Sequence, residues 1–458
     1  MRLFGIALIS AVLSAQTWQN VSTAVSNADE PALARDASGN LHFVLRVQKK
    51  PNTSYSYGVL DRSGAIQTPL AETAIQNWGS LSTPALFALP DGALHLYFGG
   101  VLGGADTKNV WNQGALLIAR KGVGEAAFKV DPDVKSQNRR AYLGPVGAVR
   151  GKDGAVWAGW PANAEYILQK PGAPSQNVAE ASACCTYHGQ LAADAESGAI
   201  YAAWFSNGRN SEGTFVKQVS PEAGKAMLVP NSATQHDGKL VGRDPNNLVA
   251  ITGRDKGEGV FAAICAGYPQ CATVELWKIG TSAGMKVAEG RSFRIAAISK
   301  GPEGRLWVAW MNDRSTPMFA RSNRAVTKFS TPASLPALND FVHRLAVEGS
   351  HGGLDVFANT GNSISVTRAL VGLEVSATPA RVPVAGGSVT VAVTDVGDPV
   401  EGVAVEVAGI KGVTGADGSV TLKLPAGKPG AVKVSASKEF YRDGSGSVQM
   451  FAPTPGKK

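Results

Sequence analysis

Arginine, histidine and amide side chains recur at one kind of position in this chain, just before or at the start of an apolar strand. The members of this set are Tyr187, His188, Arg243, Asp244, Asn247, Arg291, Arg294, His343 and Arg344, with Asp29 and Glu30 at the corresponding place near the N-terminus. Guanidinium groups pair bidentately with carboxylates and sulfates, so the set could bind an acidic ligand. Alternatively, the arginines are solvated or pair with Asp29, Glu30 and Asp244.

Catalysis would require placed acids, bases or nucleophiles. The sequence has no His-Glu-x-x-His or phosphate-loop motif. A glycosidase needs two carboxylates, or a tyrosine with a glutamate. Asp29, Glu30, Asp244 and Asp313 fall near the candidate site, but their spacing singles out no pair. The sequence therefore assigns no catalytic residue and leaves open whether the protein is an enzyme.

Four cysteines, at positions 184, 185, 265 and 271, are expected to form disulfides if the chain is exported. Cys265 and Cys271 enclose a short loop and are predicted to pair with each other. Cys184 and Cys185 would then form a vicinal disulfide or cross to that loop. Together with His188 they would make an incomplete metal site without the usual ligand spacing, so we expect no metal and no cofactor.

These residues must be positioned by a repeated hairpin. The stretch from Phe293 to Arg314 has two apolar runs around a Pro-Glu-Gly turn, the pattern of a β-hairpin. Related copies have turn glycines separated by 44 to 62 residues, at Gly39, Gly92, Gly154, Gly198, Gly259, Gly304 and Gly353. Such a period is typical of four-stranded propeller blades. The chain is therefore predicted to be all-β, with a seven-bladed β-propeller over residues 16–370 and the candidate site at the mouth of its channel.

The seventh blade is one strand short, because only Ser363 to Ala369 follows its inner hairpin. The segment 16–27 carries strand formers but has no hairpin partner of its own. Since an open edge is quenched when the chain ends pair, we predict that the N-terminal strand closes the last blade.

Aromatic residues also repeat at one register. Trp160, Trp204 and Trp310 each follow their turn glycine by six residues, which predicts packing between blades and not a sugar platform. Trp111, in a long glycine-rich loop, is the better candidate for stacking on a ligand.

Residues 1–15 have one arginine, an apolar run to Leu13 and small residues at their end, the pattern of a secretory signal peptide. No later apolar run approaches the length of a membrane helix. The 458-residue chain has a formal net charge of +8, with its basic residues scattered. We expect a secreted or cell-envelope monomer whose partner is an extracellular glycan or protein, and not nucleic acid.

From Leu373 the repeat gives way to short alternating strands at close spacing, which predict a small β-sandwich over residues 373–451. Its Gly402-Val-Ala-Val-Glu-Val and Ala416-Asp-Gly-Ser-Val-Thr-Leu segments resemble bacterial immunoglobulin-like and carboxypeptidase-regulatory-like modules. This resemblance implies a spacer or adhesive role. Residues 452–458 are rich in Pro, Gly and Lys and are predicted to be disordered.

The hairpin repeat resembles that of sialidase-like propellers, which carry a related Asp-x-Gly-x-x-Trp turn. Phe293-Arg-Ile, together with Asn312-Asp-Arg, is similar to the segment that supplies a carboxylate-binding arginine in sialidases, although in that family it opens the first blade. The sequence thus predicts a secreted binding or scaffold protein with its ligand site, possibly for an acidic glycan, at the channel mouth. The alternatives are a sialidase-like glycoside hydrolase and a structural envelope component without a ligand.

Overall fold

The computed structural model describes residues 17–22, 28, 31–49, 52–76, 78–102, 115–131, 145–162, 165–170, 173–179, 186–208, 211–232, 235–236, 239–240, 249–266, 271–361 and 363–452. Within these ranges every regular element is a β-strand except one 3-10 turn, Pro302–Gly304. No helix of the described ranges has the length and apolar character to cross a membrane. The predicted all-β class is confirmed. The segments 1–15 and 453–458 lie outside the described residues.

The first strands form antiparallel hairpins. They are β1 (Gln19–Asn20), β2 (Ala32–Arg35), β3 (Leu41–Lys49), β4 (Asn52–Leu60), β5 (Ile66–Glu72), β6 (Trp78–Leu81), β7 (Ala85–Ala88), β8 (Leu94–Leu102), β9 (Ala115–Lys121) and β10 (Lys129–Val130). β2 to β10 make one nine-stranded sheet, in which β6 connects β4 to β8. The sheet thus combines two successive hairpin sets, β2 to β5 and β7 to β10.

The middle of the chain continues the pattern. Its strands are β11 (Gly147–Arg150), β12 (Val156–Ala162), β13 (Glu165–Gln169), β14 (Gln176–Asn177), β15 (Thr186–Ala193), β16 (Ile200–Gly208), β17 (Ser211–Ser220), β18 (Met227–Leu228), β19 (Gln235–His236), β20 (Lys239–Leu240), β21 (Ala250–Gly253), β22 (Val260–Ala266), β23 (Cys271–Lys278), β24 (Met285–Lys300), β25 (Leu306–Met311), β26 (Pro317–Arg321) and β27 (Ala333–Ser334). β11 to β14 and β15 to β18 are four-stranded sheets, and β21 to β27 form a seven-stranded sheet. β24 serves twice, because its first half pairs with β23 and its second half pairs with β25.

The chain ends of the repeat region meet in one sheet of order β1-β30-β29-β28, where β28 is Arg344–Glu348, β29 is Leu354–Asn359 and β30 is Ile364–Ala369. Gln19 pairs with Val366 in β30, and the Val21 amide donates to the Ile364 carbonyl at 3.0 Å. The Ser22 hydroxyl accepts from the Ile364 amide at 2.7 Å. The predicted pairing of the N-terminal segment with this strand is confirmed.

The turn glycines explain why the hairpins recur. Gly39, Gly92, Gly154, Gly198, Gly259 and Gly304 all have positive φ. At Gly304 a Cβ atom would also lie 2.4 Å from the Lys256 carbonyl oxygen, so both conformation and space require glycine. In the last hairpin the left-handed residue is Gly352, with φ 127°, one position before the expected Gly353.

Two further sheets follow, formed by β31 (Glu374–Thr378), β32 (Arg381–Pro383), β33 (Gly387–Asp395), β34 (Asp398–Pro399), β35 (Ala404–Val407), β36 (Ile410–Val413), β37 (Ser419–Leu424), β38 (Gly430–Ser437) and β39 (Gly444–Phe451). They enclose one apolar core, because inward-facing valines of β33 pack against those of β35 and β38. Alternation of buried and partly buried residues along β33 is the pattern of a strand with one face in the core.

A buried charge cluster joins these sheets to the repeats. Arg305, 1% exposed, and Arg321, fully buried, both form ion pairs with Asp395, which is itself 1% exposed. Arg305 also contacts Asp398, and the Arg321 guanidinium lies over the Tyr441 ring at 4.9 Å. The contact lies at the turn end of the hairpins, so the opposite end, where the first strand of each hairpin begins, is not involved.

Candidate functional site

Three of the predicted site residues lie where the first strand of a hairpin begins. His188 is the third residue of β15, and Arg344 is the first residue of β28. Arg294 is the first residue of β24 to pair with β25. Arg294 pairs with Met311 and Arg344 pairs with Asn359, in each case at the hairpin end far from the turn glycine. The shared register therefore places the three residues at corresponding ends of their hairpins.

His188 and Arg344 influence each other although they belong to different sheets. His188 is partly buried. Loss of solvation, and next the positive charge of Arg344, lower the pKa of His188 to about 3. The imidazole is therefore neutral at physiological pH, with one nitrogen as donor and one as acceptor. The charge of Arg344 therefore acts on another predicted site residue that is far from it in the sequence.

Arg294 is presented by a strained backbone. The register of β24 with β25 shifts between Arg294 and Ala296, which marks a bulge at Ile295. Ile295 has φ 48° and is fully buried. A left-handed conformation is unfavourable for a β-branched residue, and such strain costs about 1–3 kcal/mol. The surrounding core holds it in place, and the bulge sets the direction of the preceding Arg294.

Phe341 connects the arginines of this region. The Arg294 Cζ lies 4.3 Å from the centre of the Phe341 ring and the Arg314 Cζ lies 5.9 Å from it. The His343 ring is centred 4.7 Å from the same phenyl ring. We call Arg294, Arg314, Phe341, His343 and Arg344 the rim cluster. Sequence reasoning did not assign Arg314 or Phe341 to the site; the available signals were that Arg314 ends the Asn312-Asp-Arg segment and that Phe341 closely precedes His343 and Arg344.

Backbone hydrogen bonds fix the loop that carries Phe341. The Val342 amide donates to the Arg314 carbonyl at 2.8 Å, and the Leu338 amide donates to the Ser315 carbonyl at 2.9 Å. The His343 amide donates to the Asn359 carbonyl at 2.8 Å. The rim cluster is thus built from two loops that support each other and from the start of β28.

Asp313, the carboxylate next to Arg314 in the sequence, forms hydrogen bonds within its own turn. Asp313 accepts the amides of Ser315 and Thr316, each at 2.7 Å, and the Thr316 hydroxyl at 3.0 Å. Burial by itself would raise the pKa of Asp313, but these hydrogen bonds outweigh it and lower that pKa. No carboxylate of the described residues lies within 4.0 Å of the Arg314 or Arg344 guanidinium. Asp313 therefore acts as a turn residue, which removes it from the candidate acids of the sequence analysis.

The disulfide predicted between Cys265 and Cys271 is present, with the two Cα atoms 5.5 Å apart. Cys271 opens β23 and pairs with Phe293, the residue before Arg294. The bridge therefore ties β22 to β23 beside the strained segment that presents Arg294.

The remaining predicted site residues are described less fully. Arg291 is exposed, as is His343 of the rim cluster, and Tyr187 is described only as part of the β15 backbone. Outside the described residues lie Asp29, Glu30, Trp111, Cys184, Cys185, Arg243, Asp244 and Asn247. Among the residues that are described, no group of three His, Cys, Asp or Glu could hold a metal ion.

The repeated tryptophans are core residues, as predicted. Trp160, Trp204 and Trp310 are at most 2% exposed, and Trp310 meets Phe293 edge-on with ring centres 6.1 Å apart. They are buried in the cores of their sheets and present almost no surface to a ligand.

Comparisons with known proteins complete the description. No protein-family model matches the chain, and no curated protein matches its sequence. Solved structures that resemble it include a Hadza microbial sialidase, with 12% identity over 77% of this chain and 68% of that one and a TM-score of 0.49. Virginiamycin B lyase from Staphylococcus aureus has 12% identity over 77% and 99% of the two chains, with a TM-score of 0.46. A polysaccharide lyase that cleaves ulvan, as its name states, has 11% identity over 78% and 94%, with a TM-score of 0.46. At such identities and TM-scores these likenesses assign neither an activity nor a ligand to this chain.

Proposed function

We propose that the protein is a secreted binding protein that holds an acidic extracellular glycan at the end of its hairpins where His188 and the rim cluster lie. In this proposal residues 16–370 form a seven-bladed β-propeller, and residues 373–451 form an immunoglobulin-like module docked on the opposite side. The pairing of β1 with β30 supports ring closure, and the double use of β24 supports the division of the seven-stranded sheet into two blades.

The observation that carries the proposal is that His188 and Arg344 lie at corresponding hairpin ends of two sheets and that the charge of Arg344 acts on His188. A guanidinium without a described carboxylate partner thus lowers the pKa of a partly desolvated imidazole that belongs to another sheet. Both groups can donate hydrogen bonds to an anion, and a partly desolvated setting strengthens such bonds. An anion placed between them would also stabilise protonated His188, so binding and protonation would be coupled.

Binding is favoured over hydrolysis because the described part of the site supplies donors and no suitably placed acid. The carboxylate of Asp313 is held by its own turn. A glycosidase mechanism requires two carboxylates, or a tyrosine and a glutamate, at the reacting bond.

The proposal is tested by titrating the mature protein with polygalacturonate and dextran sulfate, with neutral dextran as the negative ligand. Arg344→Ala is expected to weaken anion binding by about 1.5–3 kcal/mol, the contribution of a charge-assisted hydrogen bond. Lys423→Ala removes one exposed positive charge from β37 and serves as the control. Equal loss in both variants, or equal binding of dextran, would contradict an anion site at Arg344. A fluorogenic sialoside in the same experiment would reveal hydrolysis.

A further inference from the structure

The rim cluster carries more positive charge than one carboxylate could neutralise. Arg294, Arg314 and Arg344 are its guanidinium groups, and Arg291 lies exposed just before Arg294. Asp313 and Asp340 are the acidic side chains closest to the cluster in the sequence, and neither lies within 4.0 Å of Arg314 or Arg344. A ligand with a single carboxylate could pair with Arg314 or Arg344 and would leave the other of these two guanidinium groups without a carboxylate.

Phe341 lies close to two of these cations and offsets part of their repulsion. The Arg294 and Arg314 guanidinium carbons are 4.3 Å and 5.9 Å from the centre of its ring. The negative face of an aromatic ring attracts cations, which offsets part of their mutual repulsion. The N–H donors of a guanidinium lie in its plane. A guanidinium that stacks on a ring can therefore still donate hydrogen bonds at its edge to a carboxylate or sulfate.

The positive groups are also spread over separate supports. Arg294 belongs to β24, Arg314 to the loop between β25 and β26, and Arg344 to β28, where its charge reaches His188. A small anion can contact the arginine of one of these elements, whereas a chain with repeated anionic groups can contact the arginines of several.

We infer that the site takes an oligosaccharide with anionic groups on successive units, carboxylates or sulfates, and that Phe341 is the positioning residue that holds Arg294 and Arg314 for it. This inference rests on the proposed function and narrows its ligand. Phe341 itself need not touch the ligand, because it acts through the two arginines.

The ligand class is tested by calorimetry on the mature protein with galacturonic acid, oligogalacturonate, a heparin-derived oligosaccharide and a neutral maltooligosaccharide. We expect at least one anionic oligosaccharide to bind roughly tenfold more tightly than galacturonic acid, since each added charge-assisted contact contributes at least that factor. Binding should weaken as salt is added. The stronger of the two anionic oligosaccharides identifies the preferred anion. Equal affinity for galacturonic acid and the oligomers would overturn the inference but not the proposed function, whereas no binding of any anion would overturn both.

The role of Phe341 is tested with Phe341→Leu, which keeps an apolar side chain but removes the ring face. Affinity for the oligosaccharide should fall roughly two- to fivefold, the range of an exposed cation–π contact, and Phe341→Tyr should restore it. Phe440→Leu is the matched control, because Phe440 also lies beneath two arginines, Arg62 at 5.3 Å and Arg368 at 5.9 Å, but at the turn end of the hairpins.

Arg314→Ala keeps the test independent of folding, because Arg314 is exposed and its truncation leaves the core intact. If Phe341 acts through the arginines, the double variant Phe341→Leu/Arg314→Ala loses less affinity than the two single losses combined. Strict additivity, failure of Phe341→Tyr to restore binding, or an equal effect of Phe440→Leu would each overturn the positioning role.

Discussion

Replacing Asp395 by alanine is expected to destabilise the contact between the C-terminal sheets and the repeats. Asp395 is 1% exposed; its Oδ2 atom accepts a hydrogen bond from Arg321 and forms an ion pair with the Nε of Arg305. The Tyr441 hydroxyl donates to the same oxygen at 3.3 Å. Removal of the Asp395 carboxylate affects Arg305 and Arg321 differently, because they keep different partners for their positive charges.

Arg305 keeps two carboxylates, Glu303 at 2.7 Å and Asp398 at 3.0 Å. Among the described residues, Arg321 keeps the Gly352 carbonyl at 3.0 Å and the faces of Trp307 and Tyr441, with ring centres 4.8 Å and 4.9 Å from Cζ, but no carboxylate. A fully buried guanidinium without a carboxylate is an uncompensated charge. Removal of one partner of such a pair costs about 3–5 kcal/mol, and the remaining contacts of Arg305 make the lower half of that range our expectation.

Urea denaturation followed by tryptophan fluorescence measures the loss, and Trp307 reports locally because it lies beneath Arg321. The control is Glu439→Gln, which breaks an ion pair with Arg62 whose side chains are 64% and 51% exposed and should cost at most about 1 kcal/mol. The double variant Asp395→Ala/Arg321→Met should recover part of the loss, since no lone charge is then buried. A loss for Asp395→Ala no larger than that of the control would refute the reasoning.

Further predictions concern the N-terminal strand, the disulfide and pH. Deletion of 17–22 removes the strand paired with β30, so the melting temperature should fall; an unchanged value would show that this pairing adds nothing to stability. Mass spectrometry of unreduced peptides should find Cys265 joined to Cys271, and free thiols in protein from an oxidising compartment would contradict the bridge. Because loss of solvation and Arg344 lower the pKa of His188 from 6.5 to about 3, stability should be full above pH 6.5 and decline toward pH 3. His188→Gln should flatten that decline; an identical pH profile would exclude His188 as its source.

The repeat could be predicted from the sequence because its signals are local. A glycine between two apolar runs fixes a hairpin turn, and the structure places Gly39, Gly154 and Gly304 in the left-handed conformation that such turns require. The unpaired N-terminal segment followed from the same logic, since a sheet one strand short needs a donor. Its pairing with β30 is observed.

Contacts between distant side chains could not be predicted in this way. Arg321 ends a strand whose pattern does not reveal Asp395 as its partner, because that carboxylate belongs to a different sheet. Phe341 lies in an irregular loop, and its place beneath Arg294 depends on how that loop packs against the one carrying Arg314. Periodicity specifies strands, whereas loop packing and long-range ion pairs depend on the assembled fold.

The backbone conformation of Ile295 could not be predicted from the sequence either. Phe293, Arg294 and Ile295 resemble an ordinary strand in sequence, and a β-branched residue gives no reason to expect a left-handed conformation. The bulge arises because β24 must leave one sheet partner and join the next at this point. The sequence could suggest Arg294 as a candidate, but not the backbone geometry that presents it.

The central claim is that an anionic saccharide binds at His188 and the rim cluster, and a crystal structure of the mature protein with an anionic oligosaccharide tests it most directly. We predict carboxylate or sulfate oxygens at about 2.7–2.9 Å from the guanidinium nitrogens of Arg344 and Arg314, the spacing of charge-assisted hydrogen bonds. A saccharide bound elsewhere on the molecule, with both guanidinium groups unchanged, would contradict the account.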